Sequence, residues 1–122
     1  MLAAEIELIL LITGLATAGA LVLFLAPVPM MKMVFGQAPA DALNLLIARH
    51  WALLVGLVGG LLVYAAYHAE IRVPTLIVAI VEKAAFALGM LISPFRRRPS
   101  VLVMALADAG MAVVYLIYLI DL

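Results

Sequence analysis

The sequence predicts an all-α fold, an integral membrane four-helix bundle whose helices run antiparallel in an up-down-up-down order. Of 122 residues, 70% are hydrophobic and 11% are charged, whereas soluble domains average about 45–50% apolar and about 25% charged residues. About 20 apolar residues cross a bilayer core of about 30 Å. Four stretches reach that length, so residues 1–122 form a single transmembrane domain. The predicted helices cover approximately residues 6–26, 42–67, 74–93 and 101–120.

The first predicted span, residues 6–26, lacks the positive region of a signal peptide before it and carries Glu5 and Glu7 instead. We therefore expect this span to be retained in the mature protein. The segment 27–29 contains two prolines, and it ends the helix because proline cannot continue the helical hydrogen-bond ladder. The segment 30–35 is apolar with one cation, a pattern that indicates a stretch lying along the membrane interface.

The second and third predicted spans are neighbours, because the connection between them, residues 68–73, is short. Asp41 is in position to cap the first turn of the second span. Trp51, just inside the same span, is typical of the aromatic belt at a membrane interface. Pro74 suits the first turn of the third span, where its missing N–H costs nothing.

The third span ends before Pro94, and the arginine-rich segment 95–99 forms a tight turn into the fourth span. Ser100 is a residue type that caps helix N-termini well, so we expect it to cap the fourth span. Tyr115 and Tyr118 close that span, and tyrosines near a span end are typical of the opposite membrane interface.

The orientation follows from lysine and arginine residues near the span ends, because cytoplasmic loops carry an excess of both. Five such cations lie on the side of the first and third loops, against Arg72 alone on the side of both termini and the second loop. Both termini are therefore predicted outside the cytoplasm. The run of three arginines is first a determinant of topology and second a site for anionic lipid headgroups. The five cations are Lys32, Arg49, Arg96, Arg97 and Arg98.

Small residues recur every four positions along one face of the second span, at Ala48, Ala52, Gly56 and Gly60. Transmembrane helices associate by close backbone approach, which small side chains permit, and the two glycines form a GxxxG pair. The pattern favours packing within the monomer. Its alternative is a seam between two copies of the chain.

Three charged residues, Glu82, Lys83 and Asp108, lie inside predicted spans, where each costs about 2.5–3.5 kcal/mol by insertion scales. Counted from the boundary at residues 93 and 100, Glu82 lies about 16 Å deep, Lys83 about 15 Å and Asp108 about 12 Å. Glu82 and Lys83 are about 100° apart around one helix, so each needs a partner of its own. The similar heights predict a buried ion pair between Lys83 and Asp108.

The partner of Glu82 stays open at this level. Two threonines of the first span bracket its height, at about 20 and 14 Å, while a tyrosine above and an arginine below lie within partial reach. His50 has two interpretations, as a proton relay or metal ligand, or as an interfacial residue that contacts headgroups. The candidate neighbours of the charged cluster are Thr13, Thr17, Arg49, His50 and Tyr64.

Several chemistries are excluded by what the sequence lacks. The absence of cysteine removes thiolate catalysis, disulfides and cysteine metal sites. A formal net charge of zero leaves no electrostatic footprint for nucleic acid. His50 and His68 fall on opposite sides of the membrane, and no cluster of carboxylates accompanies either, so no metal site is predicted. We predict no cofactor and no enzymatic activity.

The chain resembles small four-helix bacterial inner-membrane proteins of no assigned activity. The residues that carry the resemblance are the Arg-His-Trp sequence at the start of residues 48–66, the segments 72–74 and 81–83, and Asp108. The resemblance covers most of the chain. It implies a multi-pass protein of the bacterial cytoplasmic membrane, and with the charge bias it implies periplasmic termini. It carries no catalytic role to any residue.

The sequence favours a non-enzymatic role, as an accessory subunit of a larger membrane complex or as a small homo-oligomer in which the polar cluster between the third and fourth spans fixes helix register. The alternative is a proton-coupled small-molecule transporter that uses Glu82, with its ligand open, and a membrane enzyme is third. An accessory protein should keep Glu82 fully hydrogen-bonded, whereas a transporter needs a cavity that reaches it.

Overall fold

The computed structural model describes residues 4–122, and within that range the chain is helical with no strand. Four helices of the described chain are long and apolar enough to cross a membrane. They span Ile6–Leu25, Ala42–Tyr67, Ala69–Leu91 and Pro99–Ile120. The protein is therefore an all-helical, multi-pass membrane protein.

The first span consists of two helices, α1 (Ile6–Ala18) and α2 (Ala20–Leu25), which meet at Gly19. The helix breaks at Ala26, whose φ of −134° and ψ of 71° are not helical. A third helix, α3 (Pro27–Phe35), begins at once with a proline in its first turn, where the missing N–H is unneeded. The sequence indicated an interfacial stretch at 30–35 but not that it is helical.

Helix α3 ends at Gly36, whose φ of 81° is the left-handed conformation typical of a glycine after a helix. Helix α4 (Ala42–Tyr67) follows the next loop. Asp41 caps it as expected, because its Oδ1 atom accepts a hydrogen bond of 2.8 Å from the Asn44 backbone N–H. The Asn44 side chain donates a second hydrogen bond of 2.8 Å to Oδ2.

Helix α5 (Arg72–Leu91) follows α4 through the 3₁₀ turn Ala69–Ile71. Arg72 secures this connection, because its guanidinium donates hydrogen bonds of 2.7 and 2.8 Å to the carbonyl oxygens of Ala65 and Ala66. Carbonyl groups in the last turn of a helix have no helical partner. The arginine therefore satisfies the end of α4.

A second 3₁₀ turn, Pro94–Arg97, links α5 to α6 (Pro99–Ile120). Pro99 begins α6, so Arg98 holds the N-cap position that the sequence assigned to Ser100. Ser100 instead donates its hydroxyl to the Val34 carbonyl oxygen at the end of α3. The Arg98 guanidinium donates 2.9 Å hydrogen bonds to the carbonyl oxygens of Val34 and Met33.

The closest helix packing joins the first span to α4 through glycines on both sides. A Cβ atom on Gly59 would fall on the Ala18 backbone and 2.7 Å from the Gly14 carbonyl oxygen. A Cβ atom on Gly56 would overlap the Leu21 side chain. Helix α5 packs extensively on α6 and much less on α4. The bundle is therefore two close helix pairs with a looser junction between them.

The two ends of the bundle differ. The end at the Tyr67–Arg72 connection, here termed the closed end, holds the main buried apolar cluster, whereas the end at the Ser93–Pro99 connection, termed the open end, does not. Tyr115 and Tyr118, expected at the interface, are buried in this cluster. The cluster consists of Ile6, Leu10, Leu62, Ala65, Ala66, Leu76, Ala79, Tyr115 and Tyr118.

Candidate functional site

Lys83 is buried at the point where three helices meet, with 1% of its side chain exposed. Its Nζ atom donates a 2.7 Å hydrogen bond to Thr17 Oγ1 of α1 and lies 3.3 Å from Asp108 Oδ1 of α6. The buried ammonium thus has an acceptor on each neighbouring helix. A buried charge that is paired and hydrogen-bonded avoids most of the penalty of leaving water.

A second polar contact lies one turn of α1 closer to the closed end. The Tyr115 hydroxyl donates a 2.6 Å hydrogen bond to Thr13 Oγ1, which in turn donates to the Ile9 carbonyl oxygen. The sequence predicts Tyr115 at the membrane interface and not in this cluster. The signal was its spacing of seven residues from Asp108, since positions i and i+7 share one face of a helix.

Glu82 is the neighbour of Lys83 in sequence but lies on another face of α5. Its Oε2 atom is buried and has no hydrogen-bond partner among residues 4–122. A step of one residue turns a helix by about 100°, so the groups that satisfy Lys83 lie on a face that Glu82 does not share. A buried polar atom without a partner costs free energy and needs an explanation.

The candidate neighbours of Glu82 are engaged elsewhere. Thr13 accepts a hydrogen bond from Tyr115, and Thr17 accepts one from Lys83. Arg49 donates to the Phe24 carbonyl oxygen at 3.2 Å and lies over the Phe24 ring.

The remaining two candidates point away from the interior. Tyr64 stacks on His68 with ring centroids 3.9 Å apart and is half exposed. His50 is exposed near the entry of α4. None of the five predicted neighbours hydrogen-bonds Glu82 within the described chain.

An inner cavity of about 340 Å³ lies at the centre of the bundle, between the two helix pairs. Met30, Val34 and Phe35 of α3 line it on the side of the open end. Its other walls come from the first span, α4, α5 and α6. The polar residues that line it are the charged cluster and one threonine, namely Thr17, Glu82, Lys83 and Asp108.

A second, larger cavity of about 810 Å³ is a groove between α4 and α5 at the open end. Its walls come from the parts of α4 and α5 that lie far from their short connection at the closed end. Glu82 is the only charged side chain among the described residues that line the groove. Four aromatic rings also line it, those of Phe35, Trp51, Phe86 and Phe95.

Trp51 and Phe86 stand between the inner cavity and the groove. Their rings are stacked, with centroids 5.8 Å apart and planes at 11°. Both residues line both cavities, as do Phe35 and Glu82. The unpartnered carboxylate therefore lies where the two cavities adjoin, beside an aromatic pair contributed by α4 and α5.

The small residues predicted to form one stripe on α4 lie in different surroundings, some buried and some exposed. Ala52 and Gly56 are buried, and Gly56 contacts the first span. Gly60 is exposed, and a Cβ atom there would meet no atom of the described chain within 4 Å. Gly59 takes the packing position that the stripe gave to Gly60, while Ala48 lines the groove.

The three arginines of the last connection also differ in their contacts. Arg98 is engaged with α3, as described above. Arg96 contacts the Leu91 carbonyl oxygen at 3.3 Å, and it is exposed, as is Arg97. Arg96 and Arg97 therefore remain accessible to lipid headgroups.

Comparison of the chain with known protein families, with curated proteins and with solved structures gives no match. The chemistry of the site rests on the geometry above.

Proposed function

We propose that this chain is a proton-coupled transporter of a small molecule, in which Glu82 takes up and releases the proton. The observation that carries the proposal is the buried Glu82 Oε2 atom, which lacks a hydrogen-bond partner within residues 4–122 and borders two cavities. Ionisable groups inside the membrane that face a cavity are typical of proton and substrate pathways. The proposed role is non-enzymatic.

The contrast with Lys83 supports this function over a purely structural role. A polar cluster that only fixes helix register should satisfy its members, as the contacts of Lys83 with Thr17 and Asp108 do. Glu82 gains no such contact within the described chain. A carboxylate kept at this cost, in a position that a cavity reaches, is better explained by a ligand or proton that binds it.

The proposed arrangement is an antiparallel up-down-up-down bundle in the bacterial cytoplasmic membrane, with both termini periplasmic. Contacts between the first span and α4 run in opposite sequence directions, from Gly14 with Val63 to Leu21 with Gly56, which supports the antiparallel order. The cations of the first and third loops support a cytoplasmic open end. In that orientation the groove begins at the cytoplasmic interface.

The test is proton exchange at Glu82, measured by infrared difference spectroscopy of the protein in lipid while the pH is changed. We expect a carboxyl signal in the wild type that disappears in Glu82→Gln and persists in Glu70→Gln, a variant of an exposed acid in the 3₁₀ turn. Mass spectrometry in gentle detergent checks that assembly is intact. If the difference spectra of the wild type and of Glu82→Gln are the same, with folding preserved, the structural role is supported instead.

A second candidate function is an accessory subunit or small homo-oligomer. The observation in its favour is the open face at Gly60, where exposed Leu57, Leu61 and Tyr64 surround a glycine that no described atom approaches. Small residues on a lipid-facing surface permit close approach of another helix. The same mass spectra distinguish a monomer, an oligomer and a complex with a partner.

A further inference from the structure

We propose that the groove between α4 and α5 binds a lipophilic organic cation, with the positive group of the ligand at Glu82. This inference rests on the proposed transport function, because it names the class of molecule that would enter. Pockets for drug-sized ligands measure about 300–1,000 Å³ and combine apolar walls with few polar groups. The groove, at about 810 Å³, falls in that range.

The sign of the ligand charge follows from the lining of the groove. Glu82 is its only charged side chain among the described residues, and the buried Oε2 atom has no partner there. A cation would supply the missing opposite charge, a neutral molecule would supply a hydrogen bond at most, and an anion would be repelled. The Lys83 ammonium lies on another face of α5 and is paired with Asp108, which offsets its repulsion of a cation.

The aromatic walls favour the same ligand. Trp51 and Phe86 are stacked beside Glu82, and Phe35 and Phe95 line the groove nearer the open end. Organic cations are attracted to the faces of aromatic rings, and the attraction is stronger where water is excluded. A carboxylate among aromatic rings is therefore complementary to a quaternary or protonated amine with apolar substituents.

The route of entry is lateral, from the bilayer. Ala85 and Gly89 line the groove on α5, and both are exposed on the outer surface of the bundle. A Cβ atom on Gly89 would meet no described atom within 4 Å. Because these two positions carry small side chains, the groove is open toward hydrocarbon, which selects a ligand that partitions into lipid.

The experiment uses Trp51, the single tryptophan of the chain, as a reporter inside the groove. The protein in phosphatidylcholine nanodiscs is titrated with octyltrimethylammonium, octanol and octyl sulfate, which share a chain and differ in headgroup charge. We expect a saturable change in Trp51 emission with the cation. The alcohol and the sulfate should bind at least tenfold more weakly.

Two pairs of variants locate the site. Glu82→Gln should weaken binding of the cation at least tenfold, whereas Glu70→Gln should leave it unchanged. Gly89→Leu should abolish binding by filling the groove. Gly110→Leu is its control, because Gly110 is also exposed with no described atom within 4 Å of an added Cβ but lies outside the groove. Thermal unfolding of each variant checks that it is folded.

Three results would overturn the proposal: octyl sulfate binding as tightly as the cation, octanol doing so, or cation binding that survives both Glu82→Gln and Gly89→Leu. The first would identify an anionic lipid site, the second a site without charge recognition, and the third a different location. If the cation does not bind while Glu82 still exchanges protons, the ligand class is wrong and the transport function stands. If both measurements fail, the transport function fails as well.

Discussion

The closed end and the open end of this bundle are built from the same helices but are packed differently. At the closed end, apolar side chains of α1, α4, α5 and α6 form one buried cluster, and Arg72 satisfies the last carbonyl groups of α4. At the open end, a groove lies between α4 and α5 beside an inner cavity. Buried side chains fill the closed end, whereas the open end contains two cavities.

The boundary between these two regions passes through a single turn of α5. Lys83 faces the packed helices and finds Thr17 and Asp108, whereas Glu82 borders both cavities with an unpartnered oxygen. Two adjacent charges at nearly the same depth therefore have different surroundings. Depth along the helix therefore does not by itself determine whether a charge is paired within the bundle or borders a cavity. The face of the helix on which the charge lies determines which groups surround it.

We expect the largest loss of stability from Gly59→Ala, which disrupts the close packing of α4 on the first span. The added methyl group would meet the Ala18 backbone, and backbone cannot move aside as a flexible side chain can. Overpacking a close contact costs typically about 1–3 kcal/mol, and we expect the upper part of that range, about 3 kcal/mol, in the free energy of unfolding measured in detergent with increasing denaturant.

Gly60→Ala is the matched control, since an added Cβ there meets no described atom within 4 Å and alanine is the better helix former. It should leave stability unchanged or slightly higher. Equal losses in the two variants would show that the glycine seam does not hold the first span to α4.

An intermediate effect is expected at the boundary, in Lys83→Met. Removing one partner of a buried ion pair costs about 3–5 kcal/mol, and because the Asp108 side chain keeps 20% exposure, we discount this to about 2 kcal/mol of unfolding free energy. The double variant Lys83→Met/Asp108→Asn removes the stranded charge and should recover about half of the loss. If the double variant is no more stable than Lys83→Met, the two residues are not energetically coupled.

The smallest effect concerns the start of α4 at the open end, and it depends on pH. Hydrogen bonds from the Asn44 backbone and side chain hold the pKa of the exposed Asp41 carboxyl below its ordinary value of 3.8. A lowered folded-state pKa stabilises the fold at pH above the unfolded value, and the contribution is lost as the pH falls through the folded value. The protection of the Asn44 and Leu45 amides against exchange, relative to the intrinsic rate at the same pH, should therefore fall in strong acid.

Two variants separate the cap from its charge. Asp41→Asn keeps a good capping residue and should remove the acid dependence of protection while leaving the amides protected at neutral pH. Asp41→Ala should accelerate exchange at every pH. An unchanged acid response in Asp41→Asn would assign that response to another group.

Much of the architecture is predictable from the sequence, because bilayer thickness dictates how many consecutive apolar residues a span needs. Residues 42–67 are helical as expected, and the other three spans differ from prediction by a few residues at their ends. Height along the helix axes also predicts that Lys83 is level with Asp108. In the structure, Lys83 Nζ lies 3.3 Å from Asp108 Oδ1. These predictions depend on rise per residue, which every α-helix shares.

The remaining features depend on how helices meet, which spacing alone does not determine. Gly59 and Gly60 lie three and four residues after Gly56, and both separations fall on one helix face; the position of the first span decides which of them is packed. The stack of Trp51 on Phe86 and the lack of a partner for Glu82 within the described chain also arise between helices. Helix α3 was missed because a short segment with two prolines has a weak helical signal.

Arg98 links the predicted membrane topology to the inner cavity. It belongs to the basic run that is predicted to bias insertion, and its guanidinium donates hydrogen bonds to the last turn of α3, whose residues line the inner cavity. Neutralising all three arginines to invert the protein would therefore also remove the Arg98 contacts with α3, so an effect on the inner cavity could be mistaken for an effect of orientation. Arg96 and Arg97 can be changed without that contact, so they are the positions at which orientation and cavity shape can be varied independently.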